Sequence, residues 1–182
     1  KGTRLRPFSL FMPKCLFPFR KRKIMDEVLD TLMENKIDNI YLSVNENHIT
    51  HLTRHLRSVY LEDLAKNFIP EEEPTGTAGW MRYSRKFKDT FLVCNGDDLL
   101  DIDLTEAYNY HKNQSAMVTI IMTEKEDVRD SGQVKFHAYH DGKYGPIDSF
   151  KEKPVSDKPV RGLVSTGWYI LEPQIFEFAR KG

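Results

Sequence analysis

The chain has 182 residues, 40% of them hydrophobic and 30% charged, with 27 Lys plus Arg against 27 Asp plus Glu. That length suits one domain with a sizeable core, and the apolar share excludes a disordered chain. The charge balance excludes a global pull toward nucleic acid or an anionic membrane, so any anion site is local.

The opening stretch "KGTRLRPFSLFMPK" fits neither a helix nor a strand pattern and combines Arg4, Arg6 and Lys14 with two prolines. "IMDEVLDTLMENK" then places Ile24, Val28 and Leu32 at helical spacing. "NIYLSV" (39–44) reads as a short buried strand, and "NHITHLTRHLR" as a helix with Ile49, Leu52 and Leu56 on one face. "NFIPEEEPTGTAG" is a strand running into a Gly/Pro loop, "WMRYSRKF" a helix, and "TFLVCNGDD" an apolar strand ending in an acidic turn. "LTEAYNYHKN" is a helix and "AMVTIIMT" a strand. The β-α-β-α order with strands apolar on both faces predicts a mixed, mostly parallel sheet flanked by helices, a Rossmann-like α/β class. The second half changes character: "GQVKFHAYHDGKYGPIDSFKEKP" reads as a hairpin turning at Asp141-Gly142, "GLVSTGWYIL" as a strand, and Glu172–Arg180 as a closing helix. The whole of 1–182 reads as a single domain. No apolar run reaches the length of a membrane span and no signal peptide is visible, so a cytoplasmic protein is expected. Cys15 and Cys94 show no metal or redox spacing and fit inert thiols in a reducing compartment.

In open α/β sheets ligands bind beyond the carboxyl ends of the strands. "EEEPTGTAG" and "NGDD" lie at such ends, and "STG" lies within the strand near the C-terminus. Arg4 and Lys14 can neutralise phosphates, one as a fork and the other as a point charge. Gly2 and Gly76 permit close backbone approach to an anion or a base edge. Asp97 at a strand end suits a hard cation such as Mg²⁺, which takes few carboxylates beside substrate oxygens. Glu152 and Lys153 pair a sugar-hydroxyl acceptor with a phosphate cation. With no Ser-His-Asp or Cys-His arrangement evident, the set suggests phosphoryl or nucleotidyl transfer by positioning and charge neutralisation.

The opening stretch resembles the G-x-G-T-R-L-x-P…P-K signature of the sugar-1-phosphate nucleotidyltransferases, the NDP-sugar pyrophosphorylases. "EEEPTGTAG", "FLVCNGDDLL", "SFKEKP" and "STGWYI" resemble that family's later motifs in the same order. The resemblance spans nearly the whole chain and is closest to mannose-1-phosphate guanylyltransferase-like members. It implies a nucleotidyltransferase fold and the reaction of a nucleoside triphosphate with a sugar 1-phosphate to give an NDP-sugar and pyrophosphate. By similarity, Gly2, Thr3 and Arg4 fall in the triphosphate loop, with Arg4 on the departing phosphates. Lys14 bridges the phosphates of the two substrates, and Gly76 and Thr77 lie under base and ribose. Asp97 is the first Mg²⁺ ligand, and Gly132, Glu152, Lys153 and Thr166 form the sugar-phosphate side. Attack on the α-phosphorus would be direct and in line.

Glu71 stands where thymidylyl- and uridylyl-transferring relatives usually carry a base-reading Gln. A carboxylate only accepts hydrogen bonds, and guanine offers two adjacent donors, so GTP is expected over UTP or dTTP. The resemblance also implies a first strand and part of the phosphate loop ahead of Lys1, and a second metal-binding Asp after Gly182. The chain therefore reads as cut at both ends. It leaves the sugar unread and allows a homo-oligomer.

Plainer readings stand beside these. Asp97 could cap the helix that follows it, and Glu71 could be one of three solvated acids. "RKRK" (20–23) reads as a solvated turn, and His48, His51 and His55 as a solvated helix face. Trp80 and Trp168 read as core. A non-catalytic regulator that binds a nucleotide sugar or a partner subunit is the alternative of a different class. The enzyme is favoured because Arg4, Lys14, Asp97, Glu152 and Lys153 all keep chemically competent types.

Overall fold

The computed structural model describes residues 5–8, 11–59, 61–72, 78–82, 86–139, 142–152 and 154–178, with Glu152 described by its backbone. In chain order the elements are β1 (Pro18–Phe19), β2 (Arg22–Lys23), α1 (Ile24–Glu34), β3 (Leu42–Asn45), α2 (Glu46–Ser58), β4 (Phe68–Glu71) and β5 (Phe91–Cys94). Then follow α3 (Leu104–Asn113), β6 (Val118–Lys125), β7 (Gly132–Phe136), β8 (Ile147–Glu152), β9 (Gly162–Leu171) and α4 (Ile175–Phe178).

Helix α1 starts where the Asp26 carboxylate reaches back to accept from Lys23 N at 2.9 Å. It buries Met25, Val28, Leu29 and Leu32; of the residues at the expected spacing, Val28 and Leu32 are buried and Ile24 is half-buried. It ends as Lys36 takes a left-handed conformation, with Ile37 N bonded to Leu32 O. Asn45 caps α2 by accepting from Asn47 N. Asp103 caps α3 by accepting from Thr105 N and Glu106 N.

Parallel and antiparallel pairing lie in separate sheets. Among the described residues parallel pairing is confined to β3 and β4, in the register Leu42↔Phe68 to Asn45↔Glu71. The other large sheet is antiparallel throughout: β9 pairs with β5, β6 and β7, and β7 pairs with β8 as the expected hairpin. Its direction follows from connectivity, because β9 runs back against β5 and β6. Among the described residues β3 pairs only with β4, and β5 only with β9. The remaining edges of β3 and β5 line one cleft of about 1320 Å³. The lining of the cleft includes Val28, Leu29 and Leu32 of the apolar face of α1.

The main core packs α1, α2 and α3 on these sheets around Leu29, Leu56 and Trp168, and Trp168 is fully buried. A second cluster joins Ile69, Trp80, Leu171 and Phe176. Here two expectations are corrected. The helix expected over "WMRYSRKF" is a short 3-10 turn, Gly79–Arg82, and Lys86–Lys88 is not helical. Phe87 instead stacks on Phe91 at 4.7 Å and meets the edges of Trp80 and Tyr41, contacts that need an extended approach. The described closing helix is Ile175–Phe178 alone. Glu172 stays outside it because its carboxylate accepts from Thr90 Oγ1 at 2.7 Å and Lys112 Nζ at 2.8 Å.

The histidine face of α2 is also not simply solvated. His55 Nε2 lies 2.6 Å from an oxygen of the buried Asp26, joining α1 to α2. Arg22 of the "RKRK" turn is engaged too, pairing with the Asp30 carboxylate.

His111 of α3 is fully buried, with Nδ1 at 2.8 Å from Thr119 Oγ1 and Nε2 at 3.3 Å from Glu172 Oε1. Burial pushes its pKa below the usual 6.5, and the opposing pull of Glu172 is the smaller effect. Unfolded chains take up this proton near pH 6.5 and folded ones only at lower pH, so acid favours unfolding. The urea midpoint is expected to fall between about pH 7 and about pH 5, with a shallower slope in His111→Gln.

Candidate active site

Two charged groups that line the cleft, Lys14 and Asp97, come from turns held by different parts of the core. Lys14 opens a 3-10 turn, Lys14–Leu16, in which Leu16 N bonds to Pro13 O and Phe17 N to Lys14 O. Leu16 is buried and anchors the turn. Asp97 lies in the turn after β5, where Asp98 N bonds to Asn95 O. The two turns lie close: a methyl placed on Gly96 would stand 3.6 Å from Cys15 Cβ. The Lys14 ammonium reaches the Asp97 carboxylate, and Lys14 is half exposed. Such an exposed pair adds little to stability, so its interest is where it puts the charges. The capping role that Asp97 could have taken belongs to Asp103.

Glu71 ends β4 and lines the same cleft as Lys14 and Asp97. Its carboxylate accepts from the Ser43 hydroxyl, a neighbour created by the parallel β3–β4 register. Ser43 was not foreseen, because nothing in "NIYLSV" marks which strand lies beside it. Leu5, Asn95 and Gly96 also line the cleft.

The expected sugar-phosphate residues sit elsewhere in the ladders. Gly132 is opposite Glu152 in the β7–β8 hairpin. Thr166 Oγ1 donates to Ile121 O at 2.8 Å, so its hydroxyl is committed to the sheet. Neither Gly132 nor Thr166 is among the residues lining the cleft. Gly2, Thr3, Arg4, Gly76, Thr77 and Lys153, with the side chain of Glu152, lie outside the described residues.

As for a metal, no group of three or more His, Cys, Asp or Glu is arranged to hold one among the described residues. Asp97 nonetheless fits an Mg²⁺ that arrives with a triphosphate, since such ions use one or two carboxylates and draw the remaining ligands from phosphate and water. The Lys14 ammonium already puts a positive charge against this carboxylate. No helix among the described residues is long and apolar enough to cross a membrane.

A profile of the family described as Nucleotidyl transferase matches residues 1–181. A UTP--glucose-1-phosphate uridylyltransferase of Synechocystis sp. is 29% identical, covering 100% of this chain and 49% of its own length. A mannose-1-phosphate guanyltransferase of Yarrowia lipolytica is 31% identical, covering 97% and 48%. The chain thus spans about half the length of the curated relatives it matches. A crystal structure of UDP-glucose pyrophosphorylase with UDP-glucose shares the fold at a TM-score of 0.76 and 19% identity, over 97% of this chain and 74% of that one.

The thiols beside the site are suppressed. Burial, then the charge of Asp97, pushes Cys15 up to about 11. Burial, then Asp98, pushes Cys94 up to about 12. The reactive form is the thiolate, so iodoacetamide labelling of the folded protein near pH 8 should be far slower than for a free cysteine of pKa about 8.5. Urea should restore the ordinary rate. Mass spectrometry of the labelled peptides reads both outcomes.

Proposed function

The chain belongs to the nucleotidyl transferase family, and on that premise we propose that it joins a nucleoside triphosphate to a sugar 1-phosphate, releasing pyrophosphate. The observation that carries this reading is the contact of Lys14 with Asp97, both in the lining of one cleft. One supplies a cation for phosphate oxygens and the other a hard oxygen ligand, which are the two charges that phosphoryl transfer needs brought together. Lys14 holds and orients the phosphates of both substrates and offsets the charge that grows as the α-phosphorus is attacked. Asp97 holds Mg²⁺, which when bound neutralises phosphate charge. Arg4 receives the departing pyrophosphate. Gly2, Thr3, Gly76 and Thr77 give the nucleotide its backbone contacts, and Glu152 and Lys153 serve the sugar phosphate. The protein works in the cytoplasm with no nucleic acid partner.

The base is read at Glu71, and the nucleotide is GTP. Ser43 donates to one carboxylate oxygen, and a carboxylate has lone pairs enough to accept from guanine as well. The relatives divide between guanyl- and uridylyltransferases, so chemistry at Glu71 is the support for this choice.

Pyrophosphate release is measured with Mg²⁺, each of the four nucleoside triphosphates and a panel of sugar 1-phosphates. GTP is expected to lead UTP and dTTP by about tenfold or more in kcat/KM. Lys14→Ala and Asp97→Asn should each lower kcat by about 10²–10³-fold. No release with any pair would reject the enzyme reading and favour the non-catalytic binder.

Glu71→Gln should erode the lead of GTP over UTP, because the amide presents a donor beside an acceptor. An undiminished lead in that variant would remove Glu71 from base reading.

A further inference from the structure

The turn that carries Asp97 is gripped from its outer side by an interruption in β9. The β6–β9 ladder runs in register to Ile120↔Tyr169 and resumes at Met122↔Ser165. Ile121 alone therefore faces Thr166, Gly167 and Trp168, so β9 bulges there. Gly167 takes φ +81, a left-handed conformation that suits glycine. The Thr166 hydroxyl bonds to Ile121 O and holds the bulge closed.

The bulge presses Gly167 onto the turn after β5. Asn95 N donates to Gly167 O at 3.2 Å. A Cβ on Gly167 would stand 2.3 Å from Asn95 Nδ2 and 2.6 Å from Asp98 Oδ2. Those two atoms are bonded to each other at 2.7 Å. The Trp168 indole, fully buried, donates to Asp98 O at 3.0 Å. Both residues that bracket Gly96-Asp97 are thus tied to β9 through their backbones, Asn95 by its N–H and Asp98 by its carbonyl, and to each other through their side chains.

Two adjacent carboxylates could suggest two cation ligands. The contacts separate them. Asp97 lines the cleft and meets Lys14, whereas Asp98 is not among the lining residues and gives its carboxylate to Asn95. We propose that Asp98, seated on the Gly167 bulge with Asn95 and Trp168, is a positioning residue that aims Asp97 into the cleft, and is not itself a cation ligand. The proposal rests on the reading of Asp97 as the cation ligand. Groups bonded directly to a metal ligand typically set metal affinity by about 10–100-fold, and a seat that orients the ligand's turn is expected to act in the same range.

Asp98→Asn keeps an acceptor for the Asn95 amide, Asp98→Ala removes it, and Gly167→Ala wedges the seat. Mn²⁺ binding, alone and with each nucleoside triphosphate, is followed by water-proton relaxation, which needs no turnover. Hydrogen exchange at the Asn95–Asp98 amides and the Mg²⁺ dependence of pyrophosphate release are read beside it. Asp98→Ala and Gly167→Ala should weaken Mn²⁺ by about 10–100-fold and speed exchange in the turn, while Asp98→Asn stays within about twofold of the unaltered chain. The KM for nucleotide at saturating Mg²⁺ should not move.

Loss of Mn²⁺ in Asp98→Asn as large as in Asp97→Asn would make Asp98 a ligand and overturn the proposal. So would Mn²⁺ affinity within about twofold in both Asp98→Ala and Gly167→Ala. An unaltered chain that binds no Mn²⁺ under any condition overturns it together with the role given to Asp97. A chain that binds Mn²⁺ with the expected variant pattern but releases no pyrophosphate rejects the proposed reaction and leaves the positioning role standing.

Discussion

Backbone pairing along β9 organises the neighbourhood of the cleft. This strand is bonded to β5 at its end, to β7 near its start and to β6 along nearly its whole length. A strand with neighbours on both edges has few conformations left, so an irregularity within it is held in place by everything around it. Trp168 shows how tightly: it is fully buried, pairs with Cys94, and still finds an acceptor for its indole N–H in Asp98 O. The turn after β5 inherits its position from that ladder.

The opposite wall of the site is built by a different kind of constraint. Lys14 is held through Leu16, an apolar side chain buried in the main core beside α1. Neither Lys14 nor Asp97 is deeply buried, so their attraction is screened and cannot be what folds the two turns together. The turns meet because their anchors are packed, and the opposite charges of Lys14 and Asp97 are thereby brought together. Glu71 reaches the same cleft by a third route, the parallel register of β3 and β4.

Much of the fold was legible because local patterns and tertiary packing agreed. Helix α3 and strand β9 cover the same residues that their patterns mark, and the β7–β8 hairpin follows from its alternation. Local pattern failed where a distant partner outbid it. "WMRYSRKF" has helical composition, but Phe87 is drawn into a ring cluster with Trp80, Phe91 and Tyr41. His55 looked like part of a solvated face, and its partner Asp26 lies on another helix. In the candidate site, the charges of Lys14, Asp97 and Glu71 were readable from residue type. The contacts of Ser43 with Glu71 and of Asn95 with Asp98 were not, since each depends on how the chain is folded there. A glycine inside a strand pattern is a sign of a bulge, and Gly167 carried that signal.

Residue type and order along the chain determined the family, the alternation of strands and helices, and which side chains have charges suited to phosphate and cation. Those properties are local or follow from motif spacing, so one dimension suffices to read them. Tertiary structure alone decided that Lys14 meets Asp97 and that Ser43 donates to Glu71. It alone divided two neighbouring aspartates between the cleft and the β9 bulge. Pairing register and the seating of a turn depend on which distant backbones share hydrogen bonds, and no local pattern encodes that choice.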